Sequence, residues 1–349
     1  MKPKVVVAMS GGVDSSVAAY LLKKSNYEVI GISLKLYPGS RCCLPADIKD
    51  AQNVAKYLNI PHYILDFEED FHKYVIDYFA KEYINGLTPN PCMMCNLKIR
   101  FGKLLSLIKE RFGRETLLAS GHYVKLQEEG GDVFLAPAND TNKSQEYFLA
   151  FLGGETLREL LFPVGNYLKQ EIKAIALKAG LPLHSKKESQ DVCFALEGDY
   201  LKFLKKYFNI KLTPGDIFLS NGKYIGKHKG YLAYTIGQRR GLGVSAKQRL
   251  YVIKIIPEKN SIIVGTEKEA YASKITGQII QWRTAHQVKG YVRIRYRHKP
   301  IEANVNLTSK DKVEITFLHS QFAPTPGQAF VVYNQSNLVV GAGIIKEIM

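Results

Sequence analysis

The stretch Val5-Val6-Val7-Ala8-Met9-Ser10-Gly11-Gly12-Val13-Asp14-Ser15-Ser16 constrains the fold more than any other part of the chain. Its apolar start, Val5 to Met9, predicts a buried parallel strand. Gly11 and Gly12 permit a tight turn that residues with a Cβ resist. Ser15 and Ser16 then open a helix with an apolar face. Such a unit presents unpaired N–H groups and a positive helix end to an anion, with the hydroxyls of Ser10, Ser15 and Ser16 as further donors. Neither the P-loop nor the dinucleotide fingerprint fits. Both need wider glycine spacing, and the P-loop needs a Lys before its Ser/Thr.

Downstream, predicted strands at 28–34, 62–67 and 116–122 alternate with predicted helices at 45–58, 71–83 and 97–112. This alternation predicts an α/β fold with a doubly wound parallel sheet. Ligands of such sheets sit beyond the carboxyl ends of the strands. The first turn, the 34–37 segment and Gly121-His122 fall at those ends and converge on one crevice. Helices follow at 145–161 and 169–179, the second closed by Gly180, with a small helix at 199–208. Beyond Pro214, short strands alternate with Gly/Asn turns. From about residue 273 a period-2 pattern dominates and predicts a small β-barrel. Three parts result: 1–200, 201–272 and 273–349.

A chain of 349 residues can bury a sizeable core. No stretch approaches the ~18–20 continuous apolar residues that span a bilayer. The first residues run straight into a strand, so no signal peptide, no membrane partner and a cytoplasmic location are expected. Net charge is +16, from 48 basic and 32 acidic residues, which suits a polyanionic partner, above all nucleic acid. Residues 223–259 hold nine Lys/Arg and one acid, Glu258. In Val292-Arg293-Ile294-Arg295-Tyr296-Arg297, strand alternation predicts three arginines on one face, able to clamp phosphates while Tyr stacks on an unpaired base. A solvated strand face is the plain alternative.

Five cysteines argue against a disulfide scaffold. Cys92 and Cys95 form a C-x-x-C pair after Thr88-Pro89-Asn90-Pro91, and Cys95 is expected just before a helix, where N–H groups favour a thiolate. The pair alone fits a redox dithiol, half a zinc site or part of an iron–sulfur site. Cys42 and Cys43 read as packing thiols. Cys193, by spacing alone, reads as a buried thiol beside Phe194.

Residues 10–16 resemble the pyrophosphate-binding SGGxDS loop of ATP pyrophosphatases. Together with Thr88 to Asn96, Gly121-His122-Tyr123, Phe162-Pro163-Val164-Gly165, Gln190 to Phe194, Tyr234 to Leu242 and Thr325-Pro326-Gly327-Gln328, they make the chain similar to the tRNA-specific 2-thiouridylases over nearly its full length. The resemblance implies an ATP-pyrophosphatase (HUP-like) domain, a small central tRNA-binding domain and a C-terminal β-barrel. It implies ATP with Mg²⁺ on Ala8, Met9, Ser10, Gly11, Gly12, Val13, Asp14, Ser15, Leu34 and Gly121. Asn90, Pro91 and Cys92 would meet the target base, and His122, Lys143, Ser144, Gln145, Arg295, Tyr296 and Gln328 the tRNA. Cys95 would be the nucleophile and Cys193 the persulfide carrier. Some members carry Asp in place of Cys92, and many carry Lys-Asp-Gln in place of Lys143-Ser144-Gln145. Cys92, Cys95 and Cys193 also form a candidate ligand set for a [4Fe–4S] cluster.

The activity so implied is ATP-dependent 2-thiolation of uridine 34, through an adenylated base, with release of AMP and pyrophosphate. Expected partners are tRNAs of the Lys, Glu and Gln type and a sulfur-relay protein or cysteine desulfurase. Two other classes compete: an ATP-dependent ligase or amidotransferase on a small metabolite, and a non-enzymatic RNA-binding module. The basic β region weighs against the first, and the Ser-Gly-Gly turn against the second.

Overall fold

In the computed structural model, which describes residues 2–38, 44–183, 192–195, 200–284 and 287–349, the first strand, β1 (Lys4–Ala8), is the centre of a five-stranded sheet. The other members are β2 (Glu28–Lys35), β3 (His62–Asp66), β4 (Leu117–Ser120) and, after the hairpin β5 (Val124–Glu129) and β6 (Asp132–Pro137), the short β7 (Leu160–Leu161). The order is β3-β2-β1-β4-β7, and every pairing is parallel. Val5, Val6 and Val7 are fully buried, so both faces of β1 are covered, as the continuous apolar run requires. Helices α1 (Val13–Lys24) and α2 (Pro45–Tyr57) contribute Val17, Ala18, Ala51 and Val54 to one core cluster with the strands.

The chain then runs through α3 (Glu68–Phe71), a π-helical turn (His72–Ile76) and α4 (Asp77–Ile84). A second helical run comprises α5 (Pro91–Met94), a π-helical segment (Cys95–Lys103) and α6 (Leu104–Phe112). Further helices are α7 (Glu146–Leu149), α8 (Gly154–Leu157), α9 (Lys169–Lys178) and α10 (Tyr200–Phe208). Ile172 and Ala176 of α9 join the core cluster of α1 and α2.

Two compact units result: Met1–Ile76 with Pro91–Gly198 and Asn337–Val339, and Asp77–Asn90 with Asp199–Ser336 and Val340–Met349. The second unit holds a four-stranded sheet of β8 (Gly215–Leu219), β9 (Tyr224–His228), β10 (Tyr251–Ile256) and β11 (Ser261–Gly265), in the order β10-β11-β8-β9. Its core is Ile217, Tyr234, Leu242, Val252, Ile262 and Val264. It also holds a closed barrel of β12 (Tyr271–Trp282), β13 (Gln287–Arg293), β14 (Ile301–Ser309), β15 (Lys312–Phe322), β16 (Ala329–Tyr333) and β17 (Val339–Ile348), ordered β12-β15-β14-β13-β16-β17. Pairing of β12 with β17 closes it and leaves no open edge. Among the described residues no helix is long and apolar enough to cross a membrane.

Four local expectations are corrected. The helix expected from 97 begins at Pro91, whose missing N–H suits a first helical position, so Cys92 and Cys95 lie inside it. The helix expected over 145–161 is two short helices and a strand, because Gly153-Gly154 breaks it and Leu160-Leu161 pairs with β4. The hairpin of β5 and β6 was not foreseen. The strand expected over 292–296 ends at Arg293, the last residue paired with β16, and His298 N–H donates to Arg295 O in a turn. The three arginines therefore do not share one strand face.

Candidate active site

The turn after β1 is fixed from three sides. Gly11 has φ +71°, and a Cβ there would fall 2.2 Å from the Asp47 carbonyl oxygen, so only glycine fits. The hydroxyls of Ser15 and Ser16 both donate to Gly12 O, at 3.1 and 2.9 Å, and Ser15 Oγ also accepts Ser10 N–H. These two hydroxyls hold the turn through Gly12 O, and Ser10 Oγ lies 3.3 Å from Ser15 Oγ. No side chain caps the start of α1 at Gly12, so its first N–H groups are what the turn offers a phosphate.

Asp14 is the third restraint. Lys169 Nζ lies 2.7 Å from both of its carboxylate oxygens, and Tyr123 OH donates to Oδ1 at 2.7 Å. Sequence reasoning did not single out Lys169. The only signals were its place at the start of a predicted helix, shortly after Phe162-Pro163-Val164-Gly165, and the Tyr that follows Gly121-His122.

Leu34, buried, is the penultimate residue of β2, and Met9 N–H donates to Ile32 O at 2.7 Å. Gly121 follows β4 and presses against α1: a Cβ would lie 2.5 Å from Ser15 N. His122 comes next. Its Nδ1 is 2.8 Å from Ser120 Oγ, and its ring packs on Phe101 and Phe162 at 5.6 and 6.3 Å between centroids. The imidazole keeps some surface at solvent, yet this enclosure, aided by the Arg100 charge, pushes its pKa down to about 3. It is neutral at physiological pH.

Phe101 belongs to the π-helical segment that Cys95 opens. Gly121-His122 thus touches the phosphate turn on one side and the thiol helix on the other. π-Helical turns are uncommon and concentrate at functional sites. Cys95 is buried, Cys92 is exposed, and Asn96, also buried, donates from Nδ2 to Phe148 O at 3.1 Å. Cys193 is half-buried in a turn where Ala195 N–H donates to Val192 O. Its neighbour Phe194 meets Phe71 edge-on at 5.9 Å, and the π-helical turn after Phe71 packs against α5.

Among the described residues no three His, Cys, Asp or Glu side chains are arranged to hold a metal ion. The three cysteines as placed do not fit a cluster site. Cys42, Cys43 and Gln190-Asp191 lie outside the described residues.

The other candidate residues divide. Ser144 is buried, accepts Ala138 N–H and donates to Glu146, while Gln145 Oε1 accepts Tyr123 N–H. Both spend their polar atoms inside the fold, whereas Lys143 is half-buried beside them. In the second unit Arg295 donates from Nη2 to Ala323 O and to Thr325 Oγ1, and Tyr296 is half-buried next to it. There Gln328 Nε2 donates to Thr88 O and Thr88 N–H to Pro326 O, both at 2.9 Å. This fastens the loop that ends at Asn90. A cavity of about 960 Å³ at the opposite, amino ends of β1 and β2 contains none of these residues.

Family models match three consecutive spans: a tRNA methyl transferase HUP domain over residues 3–197, a tRNA methyl transferase PRC-barrel domain over 201–266, and an aminomethyltransferase beta-barrel domain over 273–345. A tRNA-specific 2-thiouridylase MnmA 1 of Caldanaerobacter subterraneus subsp. tengcongensis is 41% identical over 99% of this chain and 98% of its own. One from Acidithiobacillus ferrooxidans is 41% identical over 98% of each chain. One from Clostridium kluyveri is 39% identical over 99% of this chain and all of its own. The solved U34-tRNA thiolase NcsA of Methanococcus maripaludis, described with its [4Fe–4S] cluster, aligns at a TM-score of only 0.38 and 21% identity, over 59% of this chain and 68% of its own. That likeness is too low to inform the site. Full-length identity to the 2-thiouridylases places the chain among enzymes: it belongs to the tRNA-specific 2-thiouridylase family, of the PP-loop type.

Proposed function

We propose that the protein 2-thiolates uridine 34 of tRNA, adenylating the base at the turn after β1 and delivering sulfur from a Cys193 persulfide. The observation that carries this is Gly121-His122, pressed on Ser15 at one residue and on Phe101 of the Cys95 helix at the next. A nucleotide and a thiol on those two elements meet at one strand end.

ATP lays its phosphates on the start of α1, within reach of Ala8 to Ser15, Leu34 and Gly121. Magnesium, when bound with the triphosphate, screens its charge; the Asp14 carboxylate is already engaged by Lys169. The uridine leaves the base stack to reach the crevice, beside Asn90, Pro91 and Cys92. Its C2 oxygen attacks the α-phosphate, and pyrophosphate leaves. The terminal sulfur of the Cys193 persulfide attacks C2, and AMP leaves with the former base oxygen. Cys95 thiolate then attacks the inner sulfur. A Cys95–Cys193 disulfide forms, 2-thiouridine is released, and an external dithiol reduces the disulfide. His122, held neutral, contributes a hydrogen bond at the strand end without adding charge.

Of the three parts, 1–200 catalyses, while 201–272 and 273–349 hold tRNA, with Lys143, Ser144, Gln145, Arg295, Tyr296 and Gln328 as contact or supporting residues. The tRNAs are those of the Lys, Glu and Gln type, and a relay protein or cysteine desulfurase recharges Cys193. The three-thiol [4Fe–4S] alternative needs the cysteines rearranged, and no step is derived through it.

The test is a reconstitution with ATP, a uridine-34 tRNA transcript and a persulfide donor. One 2-thiouridine, one AMP and one pyrophosphate should appear together. Pyrophosphate release that ignores tRNA would instead favour a small-metabolite ligase.

A further inference from the structure

One motif matched in the sequence has no role in the chemistry above: Tyr234-Thr235-Ile236-Gly237-Gln238-Arg239-Arg240-Gly241-Leu242. In the structure it opens a closed loop. Gly237 N–H donates to Val252 O at 2.8 Å and Val252 N–H to Gln238 O at 2.9 Å, which shuts the neck. Gln238 staples the first turn, its Oε1 accepting Thr235 N–H and its Nε2 donating to Arg240 O. Leu242 and Leu250 drop into the core of the small sheet. Both ends of the loop are thus fixed, and the segment between them is shaped by the fold.

That segment borders a shallow, open cavity of about 290 Å³, lined by Arg239, Gln248 and Arg249 with Gly241 and Gly243 and an apolar floor that includes Leu242 and Leu250. Ligand sites run upward from about 300 Å³, so this one suits a small group. No carboxylate lines it, and no acidic residue occurs between Gly230 and Pro257. Both guanidinium groups are exposed, and among the described residues neither has a hydrogen-bond or ion-pair partner. Two exposed guanidinium groups bordering one concavity, with no carboxylate beside them, favour an anion there. No aromatic side chain lines the cavity to stack on a base.

The loop also abuts the barrel next to a proposed tRNA contact. A Cβ on Gly237 would lie 2.8 Å from Ala323 Cβ and 3.8 Å from Arg295 Nη2, so the neck of the loop, two residues before Arg239, lies beside Arg295.

We infer that this cavity is a phosphodiester seat, in which Arg239 and Arg249 grip one backbone phosphate of the bound RNA. The inference rests on the tRNA reading of the protein and adds a fixed point of contact to it. The seat reads no sequence; it sets register and orientation.

The test is tRNA binding across a salt series for wild type, the R239Q/R249Q double variant and R240Q. Arg240 is an equally exposed charge in the same motif that does not line the cavity. The double variant should bind about tenfold more weakly near ~0.1 M salt, with a salt slope lower by about one to two. R240Q should change little. Thermal unfolding of all three should coincide. An unchanged affinity and slope in the double variant overturns the seat, as does an equal loss in R240Q, which would mean diffuse charge. Wild-type protein with no salt-dependent tRNA binding overturns the RNA reading itself, and the seat with it.

Discussion

Lys169 Nζ lies 2.7 Å from both carboxylate oxygens of Asp14 and so ties the start of α9 to the first turn of α1. The pair is well covered, with side-chain exposures of 11% and 29%. Removing one partner leaves a poorly solvated charge behind. Lys169→Met should cost about 2 kcal/mol in urea unfolding, below the ~3–5 kcal/mol of a fully buried pair because Asp14 keeps some solvent. ATP affinity should fall about tenfold, and Lys169→Arg should recover most of both. A Met variant with wild-type stability would show that the pair carries no weight.

Acid should weaken the fold through His122. The imidazole has an ordinary value of 6.5 and a folded value of about 3, so between those limits the unfolded chain binds the proton and the native one does not. Stability from this group is complete above about 6.5 and falls as pH drops toward 3. Burial displaces His62, His228 and His298 in the same direction. Denaturation free energy should therefore decline from pH 7 to pH 5, and His122→Gln should flatten that decline. An unaltered slope in the variant would contradict an imidazole held neutral at the strand end.

The cysteines separate two sulfur chemistries. With Cys95 and Cys193 as the working pair, Cys95→Ser abolishes thiolation while ATP still binds. Cys92, exposed and outside that pair, then tolerates Ser with most activity kept. Quantifying 2-thiouridine in digested tRNA reads both variants. Equal loss in Cys92→Ser would demand three thiols and revive a cluster.

Gly121→Ala tests the meeting of turn and strand end. A methyl group 2.5 Å from Ser15 N forces β4 and α1 apart. ATP binding should drop at least tenfold with a loss of about 1–3 kcal/mol in stability. Nucleotide titration checks the first and a melt the second.

The central sheet was legible because its strands are written as apolar runs closed by small or polar turns, as in Val5 to Gly12 and Thr116 to Gly121. The barrel was legible from period-2 alternation. What misled was alternation past a strand's end: Val292 to Arg297 keeps the pattern, but hydrogen bonding stops at Arg293 and the Arg295 guanidinium turns to Ala323 O. A pattern reports facing, not pairing. The cysteine helix started earlier than expected because Pro91 reads equally as the end of a loop and as a first helical residue. Lys169 and Tyr123 were invisible as partners of Asp14, since they lie 155 and 109 residues away. No local signal encodes such distant pairing.

The fourteen-residue excursion Asp77–Asn90 has a consequence for biosynthesis. Its companions are made much later: Tyr231 OH reaches Ile84 O across 147 residues, and Gln328 reaches Thr88 O across 240. The first unit through Gly198 is made before Phe79 and Tyr83 of α4 gain their later partners, and its last residues, Asn337–Val339, come only near the chain's end. Those rings find Tyr200 only when the later segments emerge. A translation product cut short before Tyr200 would leave both rings without that partner.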